Sequence, residues 1–271
     1  MVTRKQLILL WLLLVISSAT AFSTNYPKVF GNDWTAAVSY VNERHDEWRK
    51  EFSLFGVDER IAVAVIFPEL IRYCMWKDEI ERAAVNGLYI SKGRAGANFS
   101  IGRFQMKPLF AEDVEDAWNR SSLAREYGFS FNLQQNSDAR RSRIRRLGTE
   151  QGQCRYLAIF IRLLQLRHPQ LLRMSQEEQV RFLSTAYNYS FTASWDDIIR
   201  MQSQCHFHTD ILKTRNTRFY CYSAIAVDYW KWLKESSTRV EGAIFSYMKL
   251  YASSTFIQSF CKISTEMSRF I

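Results

Sequence analysis

Glycine and proline are scarce: 10 Gly and 4 Pro in 271 residues leave little material for the frequent tight turns of a sandwich, a barrel or a collagen-like array. That shortage argues against an all-β fold and favours long helices. Cysteine is also sparse. Five residues (Cys74, Cys154, Cys205, Cys221 and Cys261) are too few and too scattered for a disulfide framework, and the odd number leaves at least one thiol unpaired. Cys205 and Cys221 are able to pair. Cys205-His206-Phe207-His208 has the residue types of a metal site, but no second ligand pair stands at zinc-like spacing, so no metal is implied. Beyond residue 22 there is no Pro/Ser linker, repeat or low-complexity tract, and one compact domain over 22–271 is expected. With 47% hydrophobic and 23% charged residues, the composition excludes intrinsic disorder.

The longest apolar run, Leu7 to Ile16, is about half of the roughly 20 residues that span a bilayer. It follows Arg4-Lys5 and precedes Ala19-Thr20-Ala21, the arrangement of a secretory signal peptide over 1–21, cleaved after Ala21. An uncleaved anchor is the alternative. Cleavage removes Arg4 and Lys5 and no acid, taking the formal charge from +9 to +7. A basic exported chain points to polyanions of the cell envelope rather than to nucleic acid, through an attraction that weakens with salt. The densest positive stretch, Arg140 to Arg146, holds five Arg in seven residues and reads as a solvated loop or helix face.

Helical periodicity recurs along the chain. It predicts helices over 34–52, 58–75, 76–89, 108–119, 149–167, 175–189, 219–235 and 239–253. Ser175-Gln176-Glu177-Glu178 is a capping box that starts one of them. The stretch richest in glycine, Ser91 to Gly102, reads as a surface loop or short hairpin among the helices, where function tends to sit.

The segment Asp58 to Tyr73 is apolar apart from its ends and one carboxylate, Glu69. A helix hydrophobic nearly all round is buried, and burial raises an acid's pKa by disfavouring its charged form. Glu69 is then a proton donor near neutral pH. The alternative is a surface Glu paired with Arg72 three residues on. Pro68, lacking an N–H, is expected to kink the helix or to begin a new segment. If Glu69 is the buried acid, Arg72 is expected to point away, since a nearby cation favours the ionised form.

Two further segments stand downstream, Ser100-Ile101-Gly102-Arg103-Phe104-Gln105 and Ala186-Tyr187-Asn188 at the end of the capped helix. A helix-borne Glu, a Ser-x-Gly-x-x-Gln loop and an Ala-Tyr-Asn, in that order over residues 58 to 190, resemble the three motifs of lytic transglycosylases with the goose-lysozyme-like fold. The resemblance implies a mainly α, lysozyme-like helical domain with a small loop or hairpin insertion, its core completed or extended by 191–271. It also implies cleavage of the β-1,4 bond between N-acetylmuramic acid and N-acetylglucosamine in peptidoglycan glycan strands, leaving a 1,6-anhydro end, with no cofactor. Glu69 takes the catalytic place. Ser100, Gly102, Gln105, Tyr187 and Asn188 border the substrate; Tyr187 orients the acid through its hydroxyl, and Asn188 serves more to fix local structure.

Departures from the family pattern are visible. Leu70 stands where a Ser commonly follows the Glu, and Arg103 introduces charge where the family has Leu. A hydrolase of the same fold and a non-catalytic wall-binding protein remain as alternatives. Second acids for a hydrolase are Glu79, Glu81, Asp196 and Asp197. Candidates for stacking on sugar faces are Tyr73, Trp76, Tyr89, Phe99, Tyr189, Phe191 and Trp195, with core positions expected for most of them. The sequons at Asn98, Asn119 and Asn188 are read as chance. The chain is expected to be a periplasmic or cell-envelope monomer, with a cell-envelope protein complex as an open further partner.

Overall fold

The computed structural model describes residues 24–74, 81–210, 213–236 and 238–239, with backbone alone at 74 and 81–86. The expected signal peptide and all but the first residue of the helix expected over 239–253 lie outside the described residues. Those described are mainly helical, and two isolated β-bridges, Ile101 to Met106 and Phe207 to Tyr220, are the extended pairings among them. In chain order the helices are α1 (Tyr26–Phe30), α2 (Asn32–Ser53), α3 (Glu59–Cys74), α4 (Glu81–Lys92), α5 (Pro108–Arg120), α6 (Ser122–Glu126), α7 (Ser137–Leu147), α8 (Glu150–Arg167), α9 (Gln176–Tyr189) and α10 (Trp195–Met201). A further helix, α11, spans 222–236. Among the described residues no helix is long and apolar enough to cross a membrane.

The third helix is the axis of the molecule. Every residue from 61 to 71 is buried, and α3 packs against α2, α8 and α9. Asp58 starts it by accepting the Arg60 N–H at 2.9 Å, an N-cap that satisfies an otherwise orphaned donor. The helix runs through Pro68 without a break, so no new segment begins there; the proline removes the N–H that would have bonded the Ala64 carbonyl. Fully enclosed side chains such as Ile66 and Phe67 each stabilise by roughly 1.5–3 kcal/mol. Phe67 stacks on Tyr229 of α11 at 3.7 Å between centroids, so the tail joins a hydrophobic cluster that extends from Tyr26 to Trp230.

The capping box is present: Ser175 Oγ accepts the Glu178 N–H while the Glu178 carboxylate accepts the Ser175 N–H at 2.8 Å. Two expectations are corrected. The glycine-rich stretch is not wholly loop, since α4 continues to Lys92 and a 3₁₀ turn follows over Gly93–Gly96. The Arg-rich stretch is α7, and it is a solvated face only in part: Arg141 and Arg145 are exposed, the other three arginines are not. Arg143 is 1% exposed and donates to the Glu115 carboxylate at 2.5 and 2.9 Å and to Tyr89 Oη at 2.5 Å. Arg146 donates to Glu115 at 2.7 Å, and Arg140 to the Ile90 carbonyl at 2.8 Å. The expected reading failed in part because acids supplied by α5 draw Arg143 and Arg146 inward.

Candidate active site

Glu69 is 6% exposed and sits one turn before the end of α3. Its Oε2 is buried and accepts no hydrogen bond among the described residues. Arg72 Nη1 lies 3.7 Å away, a charge contact too long for a hydrogen bond. Arg72 therefore does not point away from the acid, as expected; one helical turn puts i and i+3 on the same face. Burial nevertheless wins. It raises the Glu69 pKa to about 7, with Arg72 and then Lys107 pulling it down. Those two are the charges acting on Glu69 among the described residues, and no carboxylate is with them. Asp197 instead lies in the first turn of α10, accepting from Oγ of the N-cap Ser194 and paired with Arg200, and Asp196 is exposed. Glu79 and the side chain of Glu81 lie outside the described residues.

The glycine-rich stretch ends in a tight turn. Ile101 and Met106 exchange backbone hydrogen bonds of 2.8 and 3.1 Å, and the chain reverses with Gly102 at φ +68° and Gln105 at φ +52°. Positive φ is easy for glycine and costs a side-chain-bearing residue of order 1 kcal/mol or more. Gln105 offsets part of that by donating Nε2–H to the Gly102 carbonyl at 2.9 Å, so one of its amide hydrogens serves its own turn and is not free for a sugar.

Phe104, buried and set edge-to-face on Trp48 at 5.1 Å, anchors the turn. Its N–H donates to Gln153 Oε1 at 2.8 Å, while Gln153 Nε2 donates to the Leu147 carbonyl at 2.8 Å. The close approach that Gly102 permits is to this glutamine: a Cβ there would stand 1.8 Å from Gln153 Nε2. Gln153 escaped the sequence reading. Its only signal is an amide in the first turn of an otherwise apolar helix stripe.

Tyr187 reaches the same turn from α9. Its hydroxyl donates to the Phe104 carbonyl at 2.6 Å, so its proton goes to the turn rather than to Glu69, a correction to the expected role. The acid remains close enough that, after burial, the Glu69 charge is a cause of the well-raised Tyr187 pKa. The turn and the acid are thus joined through one side chain. Ser100 is half-buried at the entry to the turn. Asn188 is exposed and makes no hydrogen bond among the described residues, so it does not fix local structure as expected.

A second tyrosine was missed. Tyr222 opens α11 directly after Cys221, which is disulfide-bonded to Cys205. Its ring meets Phe207 edge-on at 5.1 Å, and Phe207 lies 5.7 Å from the Arg72 guanidinium. The Tyr222 hydroxyl is buried with no hydrogen-bond partner among the described residues, and burial, then the charges of Glu69 and Tyr187, raise its pKa well above the usual phenol value.

Of the candidate sugar-stacking residues, Tyr89 and Phe191 are buried, Trp195 stacks on Phe182 at 4.3 Å, Phe99 packs against the core and Tyr189 is exposed. Tyr73 faces Arg103, and Trp76 lies outside the described residues. A separate cavity of about 470 Å³ is lined by Phe55, Phe129, Phe131, Arg146, Arg155 and Tyr156 among others and does not include Glu69. We place the site at Glu69, because the two arginines of that cavity are already ion-paired, to Glu115 and Glu51. The Asn119 side chain holds the Phe131 backbone through two hydrogen bonds of 2.8 Å, so this sequon residue has a structural role.

Compared with protein-family models, curated proteins and solved structures, the chain matches none. Within the described residues the chemistry on offer is that of one acid, neutral up to about pH 7, beside two tyrosine hydroxyls and cations.

Proposed function

We propose that the chain is an exported lytic transglycosylase with a goose-lysozyme-like helical domain, acting on peptidoglycan glycan strands. The observation that carries the reading is Glu69: an enclosed acid, pKa about 7, with no carboxylate among the described residues' charges acting on it. In this chemistry Glu69 gives its proton to the glycosidic oxygen as the bond to the muramic anomeric carbon breaks. The substrate's acetamido group stabilises the positive charge that develops, as in substrate-assisted glycosidases. The Glu69 carboxylate then accepts the proton of the muramic 6-hydroxyl as that oxygen closes on the same carbon. No water is added.

An acid that must act first as donor and then as acceptor works best with a pKa near the operating pH. Burial alone would carry it higher; Arg72 at 3.7 Å stabilises the carboxylate that forms and keeps the second step accessible. The turn at 102–105 is the expected wall of the cleft, held by Gln153 and Tyr187.

A second reading, a wall-binding protein without turnover, draws on two observations: the Tyr187 proton goes to Phe104, and Leu70, where the family commonly has Ser, is buried. Digestion of purified sacculi, followed by mass analysis of soluble products, decides. Anhydro-muropeptides released by the wild type and lost in Glu69→Gln support the enzyme. Sedimentation with sacculi and no soluble product favours the binding reading, and reducing ends carrying solvent oxygen indicate a hydrolase.

A further inference from the structure

The Arg103 guanidinium lies against two aromatic rings. Its guanidinium carbon lies 4.4 Å from the Tyr40 centroid and 4.1 Å from that of Tyr73, with the side chain half-buried. Cation–π contacts of this kind hold the guanidinium in place without using its N–H donors. Among the described residues none of those donors meets an acceptor, and no carboxylate pairs with Arg103. The acid behind Tyr40 is otherwise engaged: Glu150 accepts from Tyr40 and from Trp48 Nε1 at 3.2 Å and lies 3.8 Å from Arg44.

The location matters as much as the geometry. Tyr73 is four residues after Glu69 on α3, so the two share a helix face. Arg103 itself lies in the turn whose Phe104 carbonyl is held by Tyr187. Arg72 and Lys107 act on Glu69, Arg103 reaches the same helix through Tyr73, and among the described residues no second acid acts on Glu69. A planar fork held by two rings, its donors without an acceptor among the described residues, is suited to reading a carboxylate through two parallel hydrogen bonds.

We infer that Arg103 is a specificity-determining residue that binds a carboxylate of the glycan substrate next to the bond cleaved at Glu69. This rests on the proposed reaction on peptidoglycan. Two carboxylates are available on such strands: that of the muramic lactyl ether, free where the stem peptide has been removed, and those of the stem peptide itself. An Arg used only to tie α2, α3 and the turn together would not distinguish charged from neutral fragments.

The test is equilibrium binding by the full chain carrying Glu69→Gln, which prevents turnover, with and without Arg103→Leu. Three probes are used: soluble strand fragments with native stems, the same fragments with stem carboxyls converted to amides, and stem-free strands. Charge-assisted hydrogen bonds of this kind are worth about ten-fold in affinity or more. Glu69→Gln is expected to bind at least one carboxylate-bearing fragment about ten-fold tighter than the amidated one, with the preference gone in the double variant. A preference for native stems locates the carboxylate on the peptide, and one for stem-free strands locates it on the lactyl group. Should Arg103→Leu not fold, Arg103→Lys, which keeps the charge without the fork, is expected to lose most of the preference. Binding that ignores the carboxylates, or a preference untouched by either substitution, overturns the role of Arg103 and leaves the proposed reaction standing. If no fragment binds at all, the proposed reaction falls and this inference with it.

Discussion

Glu69 holds its proton because the fold withholds water from it. In the unfolded chain it titrates near the ordinary 4.5; in the folded protein it titrates at about 7. Below pH 4.5 both states are protonated and the full stability is present. Between 4.5 and 7 the unfolded chain releases a proton that the native state retains, so the native state binds more protons and stability falls as pH rises. The loss amounts to about 3 kcal/mol. Urea denaturation at a series of pH values should show this decline in the wild type and not in Glu69→Gln, which is expected to be the more stable protein at pH 8. An equal decline in both would mean that Glu69 is not the titrating group.

Tyr222 gives a parallel case. A buried hydroxyl with no partner costs stability, and its removal with the shape kept is near neutral or stabilising. Tyr222→Phe is expected to melt no lower than the wild type, with any effect confined to turnover on sacculi. A fall of several degrees would show that the hydroxyl has a structural partner. Glu69 was legible in the sequence as a single carboxylate in an apolar helix. Tyr222 and Gln153 were not, because nothing in one-dimensional spacing shows which amide or phenol is aimed across to another element.

At the level of elements, periodicity and capping chemistry carried far. Helices expected over 34–52, 58–75, 108–119, 149–167, 175–189 and 219–235 agree with α2, α3, α5, α8, α9 and α11 within a few residues at each end. The capping box at Ser175 is present, and Ser175→Ala should cost about 1 kcal/mol in denaturant titrations. The Arg run of α7 misled for a definite reason. Charge density along a sequence says nothing about compensation across space, and here Glu112 and Glu115 of α5, with Tyr89 of α4, enclose Arg143. Removing one partner leaves uncompensated buried charge, so Arg143→Ala is expected to lose roughly 3–5 kcal/mol. A solvated helix face would lose less than 0.5 kcal/mol, near the limit of the same measurement. The short helices α1, α6 and α10 are too brief to show periodicity, and their residues appeared only as connecting chain.

On the scale of the whole molecule, the site is assembled from parts distant in sequence: Glu69 from α3, the turn at 101–106, Tyr187 from α9 and Tyr222 from α11. Residues 191–236 do more than complete the core, since they deliver Tyr222 and Phe207 beside Arg72. The Cys205–Cys221 disulfide, closing a separation of 16 residues, holds that delivery. Replacing both cysteines by Ser should lower stability by about 2–4 kcal/mol, readable as a lower urea midpoint. An unchanged midpoint would show the segment to be held by packing alone.

The measurement nearest to the heart of the account is an NMR titration of carboxyl-labelled glutamate in the full chain, with Glu69→Gln to assign the signal. One carboxyl is predicted to titrate with a midpoint near pH 7 and to vanish in the variant. A Glu69 signal titrating in the ordinary range near 4.5 would contradict the enclosed, protonated acid on which the proposed chemistry depends.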